Sequence, residues 1–269
     1  MQIISKNLKF TFLISFTVSF VLIITGLYIF SNPFSIDRVL KNHTYTEYKH
    51  IKIYNLSDDD IEQVIEKEIR TLDDELLHFI GPMTPTNLNI IIYENYAEFQ
   101  KQSNSEYMGA FYDHRTNVIA LYSKEEHINV DEQTFINYLR HEYTHYYLSS
   151  YLKTEPKSVI PKWFEEGVAN YVASSLKGES AKIPKELVDF TLLKTRKDWE
   201  KYMKKSSELY VQSHFAIKYI AQKNGLNVIK NIIDESIEIG FNKAFYKNTR
   251  IHVKDLHNKI NLHGITPIS

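Results

Sequence analysis

The segment His141-Glu142-Tyr143-Thr144-His145 places two histidines four residues apart, with a glutamate directly after the first. The surrounding residues have helical spacing, and residues four apart on a helix lie on the same face. Both imidazoles can therefore bind one metal ion, with Glu142 directed toward the water on that ion. This pattern predicts hydrolysis by a metal-activated water, with Glu142 as the general base. A solvated helix with two surface histidines is the alternative.

A third metal ligand is needed, because catalytic zinc normally has three protein ligands and one open position. Residues 163–171 supply a carboxylate, Glu166, on a new helix that begins after Pro161. The intervening residues 149–160 include Pro156 and polar side chains, so they can reverse the chain direction. We therefore expect the second helix to return to the first and to bring Glu166 to the two histidines.

The two segments together resemble the gluzincin zinc metallopeptidases, in particular the peptidase MA-like domains related to aminopeptidase N. The resemblance rests on H-E-x-x-H followed after 20 residues by Glu-Gly within W-x-x-E-G-x-A-x-Y, and it is specific over residues 141–171. It implies one zinc ion held by His141, His145 and Glu166, the glutamate directly before the glycine. Glu165 is then expected to line the cleft or to face solvent.

Residues 208–214 contain two candidates for stabilising the transition state. In the aminopeptidase-related proteins, a tyrosine on the helix after the ligand helix donates to the tetrahedral oxyanion, and Tyr210 matches this position. His214 lies one turn further on the same face and can substitute in that role. A core tyrosine and a surface histidine are the alternative interpretation.

Three further features refine the resemblance, two of them departures from the family pattern. The Gly-Ala-Met-Glu-Asn loop of the exopeptidases is absent, although Met108-Gly109-Ala110-Phe111 is similar to its beginning, so an aminopeptidase is not expected. Asn170 stands where related enzymes have a carboxylate, and it is a candidate hydrogen-bond partner for a ligating histidine. Residues 118–122 are placed like the edge strand that pairs with an extended peptide substrate.

The composition excludes several classes of site. The 269-residue chain has no cysteine, which rules out disulfides, thiolate metal sites and a cysteine nucleophile. Histidine and carboxylate side chains are the strong metal ligands that remain. The formal net charge of −1 gives no indication of a nucleic-acid partner.

An apolar segment near the N-terminus predicts a membrane anchor. Residues 10–30 are apolar except for Thr, Ser and Gly, and these 21 residues match the ~20 that cross a bilayer as a helix. Lys6 and Lys9 precede the segment and favour a cytoplasmic N-terminus, residues 1–9. We therefore expect a single-pass protein of the cell membrane with its catalytic domain on the extracytoplasmic side. A cleaved signal peptide is the alternative.

The remaining residues predict an α+β fold. Residues 31–44 have the composition of a short tether, and residues 45–269 form the expected peptidase MA-like domain. Its first half, residues 45–151, has strand-like runs and ends with the H-E-x-x-H helix, whereas residues 152–269 have helical spacing throughout. We expect a mixed sheet followed by a helical subdomain, with the zinc site between them.

The sequence as a whole predicts a membrane-anchored zinc endopeptidase whose partner is a peptide or protein substrate. An interaction module that binds metal without proteolysis is one alternative, and a zinc hydrolase of a non-peptide amide is another. The presence of Glu142 favours catalysis, because a binding module gains nothing from a base beside the metal.

Overall fold

The computed structural model describes residues 36–57, 60–103, 109–125, 128–154, 156, 159–174, 184, 186–204 and 208–262. The chain divides into two compact units, Met1–Thr44 and Tyr45–Ser269. In the first unit, the segment expected to be a tether contains a seven-residue helix, α1 (Ile36–Asn42). The second unit contains the candidate site.

The second unit contains a mixed six-stranded sheet in the order β1-β2-β3-β5-β4, with β6 paired to the far end of β5. The three central strands are parallel, and the outer strands pair antiparallel to them. The strands are β1 (Thr46–Tyr48), β2 (Ile51–Asn55), β3 (Leu88–Asn95), β4 (Phe111–Asp113), β5 (Val118–Glu125) and β6 (Ile128–Asn129).

Helices make up most of the chain after the sheet, so the described residues form an α+β fold. The helices of the second unit are α2 (Glu62–Phe79), α3 (Tyr96–Ser103), α4 (Glu132–Leu152), α5 (Lys162–Ser174), α6 (Arg196–Met203), α7 (Leu209–Asn224), α8 (Asn227–Ile239), α9 (Phe241–Thr249) and α10 (Leu256–Leu262). In the described part of the chain, a 3₁₀ helix at Phe190–Leu192 lies between α5 and α6, and another at Val253–Asp255 precedes α10.

The predicted membrane anchor is not found among the described residues. Among the described residues, no helix is both long enough and apolar enough to cross a membrane. The 21 residues of α4 are long enough, but this helix carries Arg140 and Glu142 together with two histidines. The predicted anchor, residues 10–30, lies outside the described residues. The described residues therefore do not support the prediction of a single-pass protein with an extracytoplasmic domain.

The expected substrate-pairing edge is also in the wrong place. Residues 118–122 lie in β5, which pairs with β3 on one side and with β4 on the other. Strands β4 and β5 form an antiparallel hairpin, in which β4 pairs with the side of β5 away from β3 and is the end of the described sheet. The sheet edge near α4 is therefore β4.

Helix α4 is buried on most of its surface and lies at the centre of the second unit. Its N-terminus is capped by Asp131, which accepts a hydrogen bond of 3.0 Å from the backbone N–H of Thr134. One side of α4 packs against the sheet and α2 through buried side chains that include Phe135, Leu139 and Tyr143. This packing holds the H-E-x-x-H segment in a rigid helix.

Gly167 permits α7 to approach α5 closely. A Cβ atom at position 167 would lie 2.6 Å from the backbone oxygen of Ser213 and 2.8 Å from Cγ1 of Ile217. Both distances are shorter than any real carbon contact, so a larger residue would push α7 away. The glycine of the Glu-Gly pair therefore sets the distance between the helix that carries Glu166 and the helix that carries Tyr210.

Arg140 joins three helices from a fully buried position. Its guanidinium donates to Glu68 on α2 at 2.5 Å, to Glu75 on the same helix, and to the backbone oxygen of Val172 on α5 at 2.9 Å. The arginine directly precedes His141. These bonds therefore fix α5 relative to the helix that carries both histidines.

We predict that Arg140→Met lowers the free energy of unfolding by about 2–4 kcal/mol, because it leaves the carbonyl of Val172 and two partly buried glutamates without their cationic partner. Arg196→Met is the matched control, since Arg196 also pairs with a glutamate, Glu200, but its side chain is 75% exposed. That variant should lose less than ~1 kcal/mol. Urea denaturation of both variants measures the difference, and equal losses would show that the Arg140 network does not hold the helices together.

Candidate metal centre

Three predicted ligands converge on one point between α4 and α5. Nε2 of His141 lies 3.2 Å from Nε2 of His145 and 3.2 Å from Oε2 of Glu166. Nε2 of His145 lies 3.7 Å from the same carboxylate oxygen. In the described part of the chain, these three residues form a group that could hold a metal ion, because their ligand atoms all lie within 4.8 Å of one another.

The hydrogen bonding of Glu166 fits a metal ligand. Its Oε2 atom is buried and has no hydrogen-bond partner of good geometry among the described residues, although two imidazole nitrogens lie close to it. A buried carboxylate oxygen without a partner is costly, and a cation between it and the two nitrogens removes that cost. The site therefore has the donor set and the unsatisfied atom that a metal ion requires.

Glu165 contacts the other nitrogen of His145, which the sequence analysis did not anticipate. Its Oε1 atom lies 3.0 Å from Nδ1 of His145, and its side chain is buried instead of facing solvent. Nδ1 of His145, like Oε2 of Glu166, has no hydrogen-bond partner of good geometry, so this short contact is an electrostatic one. Once a metal binds Nε2, a carboxylate at this position favours a proton on Nδ1. Glu165 is therefore placed to orient the ligand His145, while the neighbouring Glu166 faces the metal position.

Lys162 is the second residue that the sequence analysis missed. Its Nζ atom lies 2.6 Å from Oε1 of Glu166 and 3.3 Å from Oε2 of Glu165. Although burial alone would raise the pKa of Glu166, the Lys162 ammonium and the His145 imidazole hold it well below its usual range. The ligand carboxylate therefore stays ionised, as metal binding requires.

The same carboxylates act on His145. Burial alone would lower the pKa of this imidazole, but the charges of Glu166 and Glu165 raise it to about 10. A metal ion that binds Nε2 has to displace the proton held there, so metal affinity should fall as the pH falls.

Tyr210 lies beside the candidate ligands, and its role as an oxyanion donor stays a prediction. Its ring is 6.1 Å from the His141 ring and 5.2 Å from the ring of Trp199, measured between centroids. Burial raises the pKa of the Tyr210 phenol, and the negative charges of Glu166 and Glu142 raise it further. The hydroxyl therefore remains protonated and can act as a hydrogen-bond donor.

His214 and Asn170 make other contacts than those expected. The His214 ring packs against Tyr171 at 5.9 Å and near Phe215, and none of its described contacts is with the three candidate ligands. The side-chain amide of Asn170 donates to the backbone oxygen of Tyr210 at 3.4 Å, not to a histidine. Asn170 thus helps to hold α7 against α5, and Glu165 occupies the place beside His145.

No family model matches the chain. The chain is similar to the uncharacterized protein YhcO of Bacillus subtilis strain 168, with 27% identity over 257 residues. The alignment covers 88% of this chain and 78% of YhcO. Because that relative is itself uncharacterized, functional conclusions for this chain depend on the geometry of the candidate metal centre.

We predict a graded loss of metal affinity from two neighbouring substitutions. Glu166→Ala should remove a ligand and lower the affinity by more than ~100-fold, whereas Glu165→Ala should lower it by about 10–100-fold, because it releases only the orienting contact to His145. Titration with zinc in the presence of a competing chelator measures both. The exposed Glu200→Ala is the control, and all variants are compared at equal folded fraction.

The opposite order would contradict the assignment. If Glu165→Ala empties the site and Glu166→Ala retains the metal, the ligand is Glu165. The assignment of Glu166 is then off by one residue.

Proposed function

We propose that this chain is a zinc-dependent peptidase of the gluzincin type that hydrolyses peptide bonds with a metal-activated water. The observation that carries the proposal is the convergence of His141, His145 and Glu166, with Glu142 next to the first ligand on the same buried helix. Two imidazoles and one carboxylate are a common ligand set of catalytic zinc, which keeps its fourth position open.

The spacing of the ligand atoms supports zinc. Tetrahedral coordination at ~2.0–2.2 Å separates neighbouring ligand atoms by about 3.3–3.6 Å. The three pairs of ligand atoms are 3.2, 3.2 and 3.7 Å apart, so they already lie near this geometry. The imidazole ligands favour zinc over magnesium or calcium, which prefer oxygen.

Glu142 is the proposed general base. Zinc, when bound, polarises the scissile carbonyl and lowers the pKa of its water to ~7. Glu142 accepts the proton of the attacking water and delivers it to the leaving amine. Its side chain is only 8% exposed, so bulk water is largely kept from this carboxylate. The protonated Tyr210 hydroxyl donates a hydrogen bond to the oxyanion that forms during the attack.

The position of β4 supports a peptide as the substrate. A Cβ atom at Gly109, just before β4, would meet the ring of Tyr138 on α4 at 2.3 Å. Just after β4, Nδ1 of His114 lies 2.7 Å from the hydroxyl of Ser149, also on α4. Tyr138 and Ser149 are 11 positions apart on α4, which is ~16 Å. Gly109 and His114 are 5 positions apart and flank the three residues of β4, so this segment spans at most ~18 Å. The strand therefore runs alongside the helical turns that carry both histidines.

An extended peptide can pair with this strand, because no described strand pairs with the outer side of β4. Backbone pairing would place the peptide along the metal ligands, whatever its side chains are. A small non-peptide amide would gain little from such an edge. This favours peptide substrates over the alternative class of amide hydrolase.

We predict that Glu142→Gln retains zinc and loses at least ~100-fold in peptide hydrolysis, because an amide cannot accept the proton of the water. A peptide library and metal analysis should be applied to the same preparation. Glu132→Gln, at the exposed start of the same helix, is the matched control and should keep full activity.

Unchanged turnover in Glu142→Gln would overturn the mechanism. Loss of zinc from this variant would make Glu142 a ligand or a structural residue. A wild-type chain that binds zinc and cleaves no peptide of the library would favour the interaction module.

A further inference from the structure

Lys162 is held firmly at the start of α5. Its backbone N–H donates to the oxygen of Lys194 at 2.9 Å, and the N–H of Trp163 donates to the oxygen of Leu193 at 3.1 Å. The first turn of the helix is thus attached to the chain segment before α6. The Lys162 side chain is only 18% exposed, so its ammonium is directed into the site instead of into solvent.

The two carboxylate oxygens of Glu166 contact different partners. Oε1 lies 2.6 Å from Nζ of Lys162, and Oε2 faces the imidazoles of His141 and His145. A carboxylate with both oxygens free can bind a metal through one or both of them. In this site, one oxygen already has a short charge-assisted contact with the Lys162 ammonium.

Lys162 also contacts the carboxylate that orients His145. Nζ is 3.3 Å from Oε2 of Glu165, whose other oxygen faces Nδ1 of that histidine. The two glutamates are neighbours on α5 and both are buried, so their charges repel each other at short range. One ammonium between them reduces this repulsion and fixes the direction of each carboxylate.

We propose that Lys162 is a positioning residue that restricts Glu166 to binding the metal through Oε2 alone and thereby keeps the fourth coordination position open. This role depends on the metal site of the proposed function, but not on peptidase activity. Lys162 does not ligate the metal, because its ammonium has no lone pair while it is protonated.

Charge balance supports this arrangement. A divalent cation and the Lys162 ammonium together carry three positive charges, which equal the negative charges of Glu142, Glu165 and Glu166. A buried site is most stable when its charges are compensated. Lys162 therefore allows a second glutamate beside the ligand without leaving a net negative charge.

Cobalt substitution tests the proposal. Co²⁺ replaces Zn²⁺ in such sites, and its visible absorption weakens as the coordination number rises from four to five. In Lys162→Met, Oε1 of Glu166 is released and can bind the metal as well. We therefore expect the absorption per bound cobalt ion to fall relative to the wild-type chain, with both chains saturated with cobalt.

Lys230→Met is the matched control. Lys230 also pairs with a carboxylate four residues further along its helix, Asp234 at 2.5 Å, but it lies on α8. This variant should have the wild-type cobalt spectrum, which distinguishes positioning of the ligand from a general effect of removing a lysine ion pair.

A spectrum of Lys162→Met identical to the wild-type spectrum at equal cobalt content would overturn the positioning role and leave the metal site intact. A wild-type chain that binds no cobalt would overturn the metal site and the role together. If Lys162→Met does not fold, X-ray absorption of the wild-type zinc chain decides the question. Four nitrogen or oxygen ligands at ~2.0–2.2 Å support the proposal, and a fifth ligand oxygen contradicts it.

Discussion

The arrangement of the candidate metal centre depends on one buried cation, Arg140. Its guanidinium is bound by two glutamates of α2 and by a backbone oxygen of α5, and the next residue in the chain is His141. The ligands come from two helices, so their spacing is only as accurate as the relative position of those helices. The buried guanidinium donates to both neighbouring helices, and these directional bonds fix that position in direction as well as in distance, which apolar packing alone does less well.

The second constraint is the close contact between α5 and α7 at Gly167. A side chain there would collide with the backbone of Ser213, so the two helices approach each other only because this position has no Cβ. The approach places Tyr210 beside His141 and partly buries its side chain. Gly167, the residue after the candidate ligand Glu166, thus sets the position of Tyr210 on the neighbouring helix, and Lys162, one turn before that glutamate, contacts its carboxylate.

The three candidate ligands could be predicted from the sequence, but the residues that contact those ligands could not. His141, His145 and Glu166 follow from residue type and helical spacing, and the structure brings them together. Glu165 and Lys162 were missed, because helical spacing shows which face a residue is on and does not show where a long side chain ends. The adjacent carboxylate was nevertheless a signal, since a buried second glutamate needs a cation or an imidazole. The sheet edge was misplaced because strand order cannot be read from alternation alone.

The central claim is that one metal ion binds between α4 and α5. Crystals of the chain grown with zinc, measured on both sides of the zinc absorption edge, test it most directly. We predict one anomalous peak at ~2.0–2.2 Å from Nε2 of His141, Nε2 of His145 and Oε2 of Glu166. Crystals at full zinc saturation that show no peak within bonding distance of these three atoms, or a peak at another position, would contradict it.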